Sequence, residues 1–215
     1  MHTHARKRLA FAFLALCPAL WAAEEPKAVA LPAPQLDIGK PLMQALKERR
    51  STREFAPDKL PLQVLSNLLW AANGENRPGG QRTAPSAVNA QQVDIYVALA
   101  DGTYLYQAKG HRLLPIAAED HRKLTGTQPF VAAAPLNLVY IADLTKPGSA
   151  GAEDRLIWAA AGTGFISQNV YLYCASEGLV TVVRAFVDRG PLEKALKLRP
   201  DQRIILSQTV GYPRK

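Results

Sequence analysis

Two hydrophobic periods divide the chain. Leu62, Leu65, Leu68, Leu69 and Ala72 recur at the three-and-four spacing of one helix face. Pro61 suits the first turn of that helix and Gly74 its end. A shorter helix is predicted over residues 42–50, where Leu42, Ala45, Leu46 and Arg49 keep the same spacing, and another over 192–198. The longest is predicted over about 153–177, stopped at Gly178, with Ala159-Ala160-Ala161-Gly162-Thr163-Gly164 offering almost no side-chain bulk. That run fits either a glycine-weakened core helix or a close crossing with another helix, including one from a second subunit.

Runs rich in β-branched residues at 93–99, 136–142, 179–183 and 203–211 read as strands. Asp101-Gly102, followed by Thr103 to Tyr106, marks a hairpin. Residues 79–86 read as an irregular loop, and 86–91 as a short helix start capped by Ser86. Strands mixed with helices predict an α+β fold, a central mixed or antiparallel sheet flanked by helices.

The N-terminus changes where this domain is expected to work. Arg6, Lys7 and Arg8 precede an apolar run from Leu9 to Leu20 and the small residues Ala22 and Ala23, the layout of a secretory signal peptide over residues 1–23. At about a dozen residues the run is shorter than the roughly 20 a spanning helix needs. The domain is therefore expected to be periplasmic or otherwise exported, meeting a membrane only if the signal is kept as an anchor. Pro26, Pro32 and Pro34 make residues 24–40 an extended arm, a tether or wrapping segment, before a single domain over 41–215.

Losing three of its cations takes the net charge from +8 to +5, still basic, which suits a phosphate-bearing ligand or an anionic surface, although scattered solvated charges account for it equally. No nucleic-acid partner is expected. Cys17 leaves with the signal, so Cys174 has no intramolecular disulfide partner; it reads as a small buried hydrophobe. His111 and His121 stand apart from cysteines and from each other, read as surface residues, and suggest no metal site. No G-x-S-x-G elbow, P-loop or G-x-G-x-x-G turn occurs.

Two segments could carry chemistry. Arg49, Arg50, Ser51 and Arg53 follow the first helix, where guanidinium forks and a hydroxyl can converge on a phosphate, or simply complement a helix C-terminus. Asn89, following Pro85 and Ser86, offers an amide donor and acceptor to a heterocycle edge, or is simply a polar residue at a helix end.

Taken in order, RRSTREF (49–55), LLWAANG (68–74), RTAPSAVNAQQVDIYV (82–97), GFISQNVYLYCASEGLVTV (164–182) and VGYP (210–213) resemble the nitroreductase family. The RTAPS form and the hairpin after it are similar to the SagB-type dehydrogenase branch. The resemblance implies a homodimer with FMN at the subunit interface and a ping-pong cycle. It implies that Arg49, Arg50, Ser51 and Arg53 hold the FMN phosphate and ribityl chain, with Arg214 joining them. Pro85, Ser86 and Asn89 would reach the ring from the other subunit, and Val183, Arg184 and Ala185 would set backbone N–H groups near its N5 edge.

No catalytic acid or nucleophile is then required of the protein, because the cofactor carries the chemistry. Arg184 and Ala185 depart from the acidic residue and glycine common there. The expected activity is an exported FMN-dependent oxidoreductase acting on a small conjugated substrate such as a quinone, a nitroaromatic or an azoline-like ring. NAD(P)H is a possible donor, although export argues for a quinone, thiol or membrane-associated reductase in its place. The alternatives are a non-catalytic exported dimer that binds flavin or another ligand, and a module for anionic surfaces.

Overall fold

Every residue of β5 (Leu136–Asp143) is buried, and its side chains divide between two cores by the two-residue period of a strand. Leu136, Leu138 and Tyr140 join Ile95 and Val97 of β2 (Val93–Leu99) on one face. Against them lie Leu65, Leu68, Leu69 and Ala72 of α2 (Leu62–Asn73) and Ile166, Val170 and Cys174 of α4 (Ala152–Glu177). On the other face Val139 and Ile141 join Tyr96, Val187, Ile204, Leu196 and Leu192, the last from α5 (Arg189–Ala195). Side chains this deeply buried contribute roughly 1.5–3 kcal/mol each relative to exposure, so β5 is the keel of the domain.

The computed structural model describes residues 27–214; the signal peptide expected over 1–23 lies outside them. The remaining strands are β1 (Val29–Ala30), β3 (Gly102–Gln107), β4 (Arg112–Ala117), β6 (Val180–Arg184) and β7 (Gln202–Gly211), and a one-turn helix, α3 (Phe130–Ala133), precedes β5. All pairings are antiparallel, in the order β1-β4-β3-β2-β5-β7-β6. The α+β expectation holds, with an antiparallel sheet flanked by helices.

Several boundaries differ from the sequence reading, for local reasons. The first helix, α1, covers Leu42–Glu48, leaving Arg49 as its C-cap and Arg50 outside. The hairpin turn sits at Ala100 and Asp101, with Leu99 paired to Gly102, whose φ of 145° opens β3. The fifth helix begins at Arg189, three residues early, because Pro191 is tolerated in a first turn; it ends ahead of Lys197, which has a φ of 52°. Ser86 does not cap by its side chain; its Oγ accepts from Gln91 N at 2.7 Å, closing a turn instead. Gly178 does end α4, in the left-handed region at φ 72°, where a Cβ is disfavoured.

The arm is more than a tether. Val29 pairs with Leu113 and Ala30 with Arg112, so the arm adds an edge strand, and Leu31 enters the core. What holds it corrects the reading of His111 as a surface residue. Ser66 Oγ donates to Pro32 O at 2.5 Å, so the 2.6 Å contact between Ser66 Oγ and His111 Nε2 needs the imidazole as donor. Nδ1 then accepts from Tyr106 OH at 3.0 Å. This is a neutral ring, and burial pushes the His111 pKa below its ordinary value.

A depressed folded-state pKa means the unfolded chain binds the extra proton. The stabilisation is therefore complete above an unfolded pKa of about 6.5 and is lost as pH falls through the lowered folded value. Urea denaturation at pH 7.5 and 5.5 is expected to show a smaller acid loss for His111→Asn than for the wild type. Equal losses would show that this histidine does not set the slope.

Candidate functional site

β6 is the last strand of the sheet, and the direction of its unpaired groups can be read from their partners. Thr181 O accepts from Thr52 N at 3.0 Å, and Val183 N donates to Tyr171 OH at 2.9 Å. Both therefore point away from β7. By the two-residue period the N–H of Ala185, just past the strand, continues on that outer side. The edge is covered not by another strand but by the segment after α1, and Ser51 Oγ closes the junction at 2.7 Å from the same Tyr171 OH. Tyr171 thus ties the 49–53 segment to the strand through one phenol, and Arg49 stacks over its ring, 5.2 Å from the centroid.

Between these elements lies a cleft of about 560 Å³. Its floor is Tyr171, Cys174 and Ala175 of α4, then Gly178 to Thr181, with Thr52 and Pro213 on the wall. Lys40, Lys47, Arg49 and Arg50 line it against one carboxylate, Glu48, which Lys40 already engages at 2.6 Å. Within a Debye length such an excess of cations raises the local concentration of a dianion. Pro213 reaches this wall because Phe55 bridges to it and Ala56 N donates to Tyr212 O at 2.9 Å. That bridge brings the C-terminal segment beside the 49–55 segment, and exposed Arg214 follows directly.

Of the residues singled out from sequence, Arg49, Arg50, Ser51 and Val183 meet around this cleft and its tyrosine. Arg53 is exposed next to it in sequence. Pro85, Ser86 and Asn89 line no part of it. They occupy the turn between α2 and β2, where Asn89 Oδ1 accepts from Gln91 Nε2 at 3.0 Å and Val88 is 79% exposed. Val88, Asn89 and Gln91 all carry positive φ, at 45°, 54° and 47°. Three non-glycine residues in the left-handed region hold this turn in a strained shape that presents Val88 and Asn89 outward.

Arg184 is implied by the resemblance to set a backbone N–H near a ring. Its side chain turns inward, 4% exposed, and spreads over neutral partners. Nε donates to Thr209 Oγ1 at 3.1 Å, one terminal nitrogen to Thr125 O at 2.7 Å, and the other to Asn137 Oδ1 at 3.1 Å. None of these partners is a carboxylate, and burial lowers its pKa to about 10. Its backbone pairs with Ser207 of β7, and Val183 N already donates to Tyr171 OH, so of the three N–H groups expected near a ring the period leaves that of Ala185 on the outer side.

Sequence reasoning missed Tyr171. The signal was present: a phenol inside the apolar run Val170-Tyr171-Leu172-Tyr173 requires a partner for its hydroxyl. Cys174 is buried, its thiol pushed up by desolvation, as expected for a core cysteine. Among the described residues no group of three or more His, Cys, Asp or Glu could hold a metal ion.

An antiparallel sheet with a cationic cleft at its β6 edge is the setting in which comparison with known proteins becomes informative. The family model described as the nitroreductase family matches residues 46–212, so this chain belongs to the nitroreductase family, a family of oxidoreductases. A Methanocaldococcus jannaschii protein, MJ1384, provisionally named a nitroreductase, is 32% identical over 169 residues, spanning 74% of this chain and 85% of its own. A crystal structure from Ralstonia eutropha JMP134, also provisionally named a nitroreductase, is 43% identical with a TM-score of 0.85, over 90% of this chain and 92% of that one. A more distant protein of Desulfovibrio desulfuricans, solved in complex with FMN, shares the fold at 19% identity and a TM-score of 0.61, over 82% and 88% of the two chains.

Proposed function

We propose that this protein is an exported FMN-dependent oxidoreductase whose flavin site is completed by pairing of two copies. The observation that carries the reading is the junction at Tyr171, which sets arginines and an edge strand with outward amides around one cleft. The residues present suit FMN: a cationic rim for the phosphate, a hydroxyl at Ser51 for the ribityl chain, and an edge N–H at Ala185 for a ring nitrogen. When bound, the flavin would supply hydride exchange with a donor and then with a small conjugated acceptor.

What the chain's own residues contribute is binding and orientation. Arg49 and Arg50 would neutralise the phosphate by charge-assisted hydrogen bonds, with Arg53 and Arg214 adding charge from outside. Val183, Arg184 and Ala185 would hold the backbone edge, and Tyr171 would keep that edge at a fixed distance from the phosphate segment.

Pairing is supported by the outer face of α4. Leu156, Ile157 and Phe165 are 47%, 55% and 47% exposed, with Ala160, Ala161 and Gly164 exposed between them. An apolar, small-residue face of that length on a 26-residue helix suits a partner helix. Pairing would also bring Pro85, Ser86 and Asn89 of one copy to the cleft of the other. Within the same run Ala159, Gly162 and Thr163 are buried, which supports the core-helix alternative, while the exposed Ala160, Ala161 and Gly164 would be the part that meets a partner.

The deciding experiment is an anaerobic titration of purified mature protein, reconstituted with FMN, using NADPH, then a quinol or a thiol, and finally dithionite while recording the visible spectrum. Tight FMN uptake, slow or absent bleaching by NADPH and full bleaching by a quinol or thiol donor is the expected result. Rapid NADPH bleaching would overturn the donor assignment, and failure to take up FMN would overturn the cofactor.

A further inference from the structure

Arg184 is a buried cation with no counter-ion among the described residues, and it sits in the middle of the segment that forms the site edge. Its three hydrogen bonds reach three separate elements: Thr209 on β7, Asn137 on β5 and Thr125 in the short helical turn after β4. Neutral partners satisfy its donors without cancelling its charge. In a buried setting that charge is poorly screened by salt or water. The chain has also made room for it. A Cβ added at Gly126 would fall 1.8 Å from a terminal nitrogen of the guanidinium, so any larger residue there would have to displace it. The turn grips the same segment a second time, Thr127 N donating to Phe186 O at 3.2 Å.

The backbone consequence is direct. Arg184 immediately precedes Ala185, whose N–H lies on the outer side of the edge, while its own side chain is anchored on the inner side. A fixed positive charge is thereby held within one residue of an outward N–H on the same strand edge that lines the cleft at Val180 and Thr181. Taking up an electron pair makes a bound redox ligand more electron-rich, and a nearby fixed cation stabilises that form more than the oxidised one.

We propose that Arg184 is a positioning residue that sets the reduction potential of the bound cofactor, raising it by an unscreened charge held behind the site edge. This rests on the FMN reading above. A potential raised in this way admits a donor of higher potential than a nicotinamide.

The test is the ratio of affinities for reduced and oxidised FMN, obtained from the midpoint potential of the reconstituted protein and the dissociation constant of oxidised FMN. Arg184→Met removes the charge and keeps a long side chain; the ratio is expected to fall about tenfold, a drop of about 30 mV for a two-electron couple. Arg184→Lys keeps the charge and is expected to stay within about threefold of wild type, even if it is less stable. Should the methionine variant fail to fold, the lysine variant decides: a tenfold fall there would overturn the charge role. A methionine variant that binds FMN with the wild-type ratio would overturn the proposal alone. Absence of FMN binding by the wild type would instead overturn the cofactor reading, and the proposal with it.

Discussion

Asn137→Leu is expected to destabilise the fold by about 3–5 kcal/mol, the range for a buried charge deprived of a partner. Asn137 is fully buried and has no slack: Oδ1 accepts from Arg184 and, at 2.6 Å, from Thr209 Oγ1, while Nδ2 donates to Val131 O at 2.8 Å. Leucine fills nearly the same volume and returns none of these bonds. It leaves the guanidinium one acceptor short, the Thr209 hydroxyl proton without its acceptor and the Val131 carbonyl without this donor, all in the interior. At roughly 2–4 °C per kcal/mol for a domain of this size, the melting temperature is expected to fall by about 6–20 °C. Adding Arg184→Met is expected to recover part of the loss, since neighbours in one network are not additive. A fall below 1 kcal/mol in urea denaturation would show that water reaches Arg184, contrary to its burial.

The second large effect concerns ligand affinity. Arg49→Ala is expected to weaken FMN binding by about 10- to 150-fold, the equivalent of one charge-assisted interaction of about 1.5–3 kcal/mol. Arg49 lines the cleft and stacks on Tyr171, so its loss removes a phosphate fork and loosens the tyrosine that carries Ser51 and Val183. Lysine at this position is expected to recover only part of the affinity, because an ammonium cannot reproduce the planar fork. Arg77→Ala is the control: that side chain is exposed, donates to its neighbour Asn76 and lines no part of the cleft. Quenching of flavin fluorescence gives the dissociation constants. A change under threefold for Arg49→Ala would remove Arg49 from the phosphate site.

Much of the sheet was legible because its strands announce themselves by period. β2 and β5 alternate two cores and are flanked by turn residues, and β2 lies where its β-branched run predicts. β4 was missed because Arg112–Ala117 contains Pro115 and shows no clean alternation. It forms because the hairpin partner β3 and the arm strand β1 pair with its two edges, which is a tertiary cause. The phosphate-type cluster at 49–53 was legible as a motif. The cleft was not, because it depends on a phenol 120 residues away in the chain and on Pro213 at the opposite terminus. The inward turn of Arg184 was equally hidden: nothing local says which face of an edge strand a cation will take, and the answer lies in Asn137, Thr125 and Gly126.

Cys174 adds a practical consequence. It is the only cysteine between residues 27 and 214, it is 1% exposed, and it forms part of the cleft floor. A thiol so placed can meet an alkylating reagent only when α4 lifts from the sheet, so the labelling rate is a clock for that opening. A molecule seated in the cleft would hold the lid over this clock shut, slowing it by one plus the ratio of free ligand to its dissociation constant. The protein thus contains its own reporter for ligand screening, readable by mass spectrometry without colour, turnover or an added label.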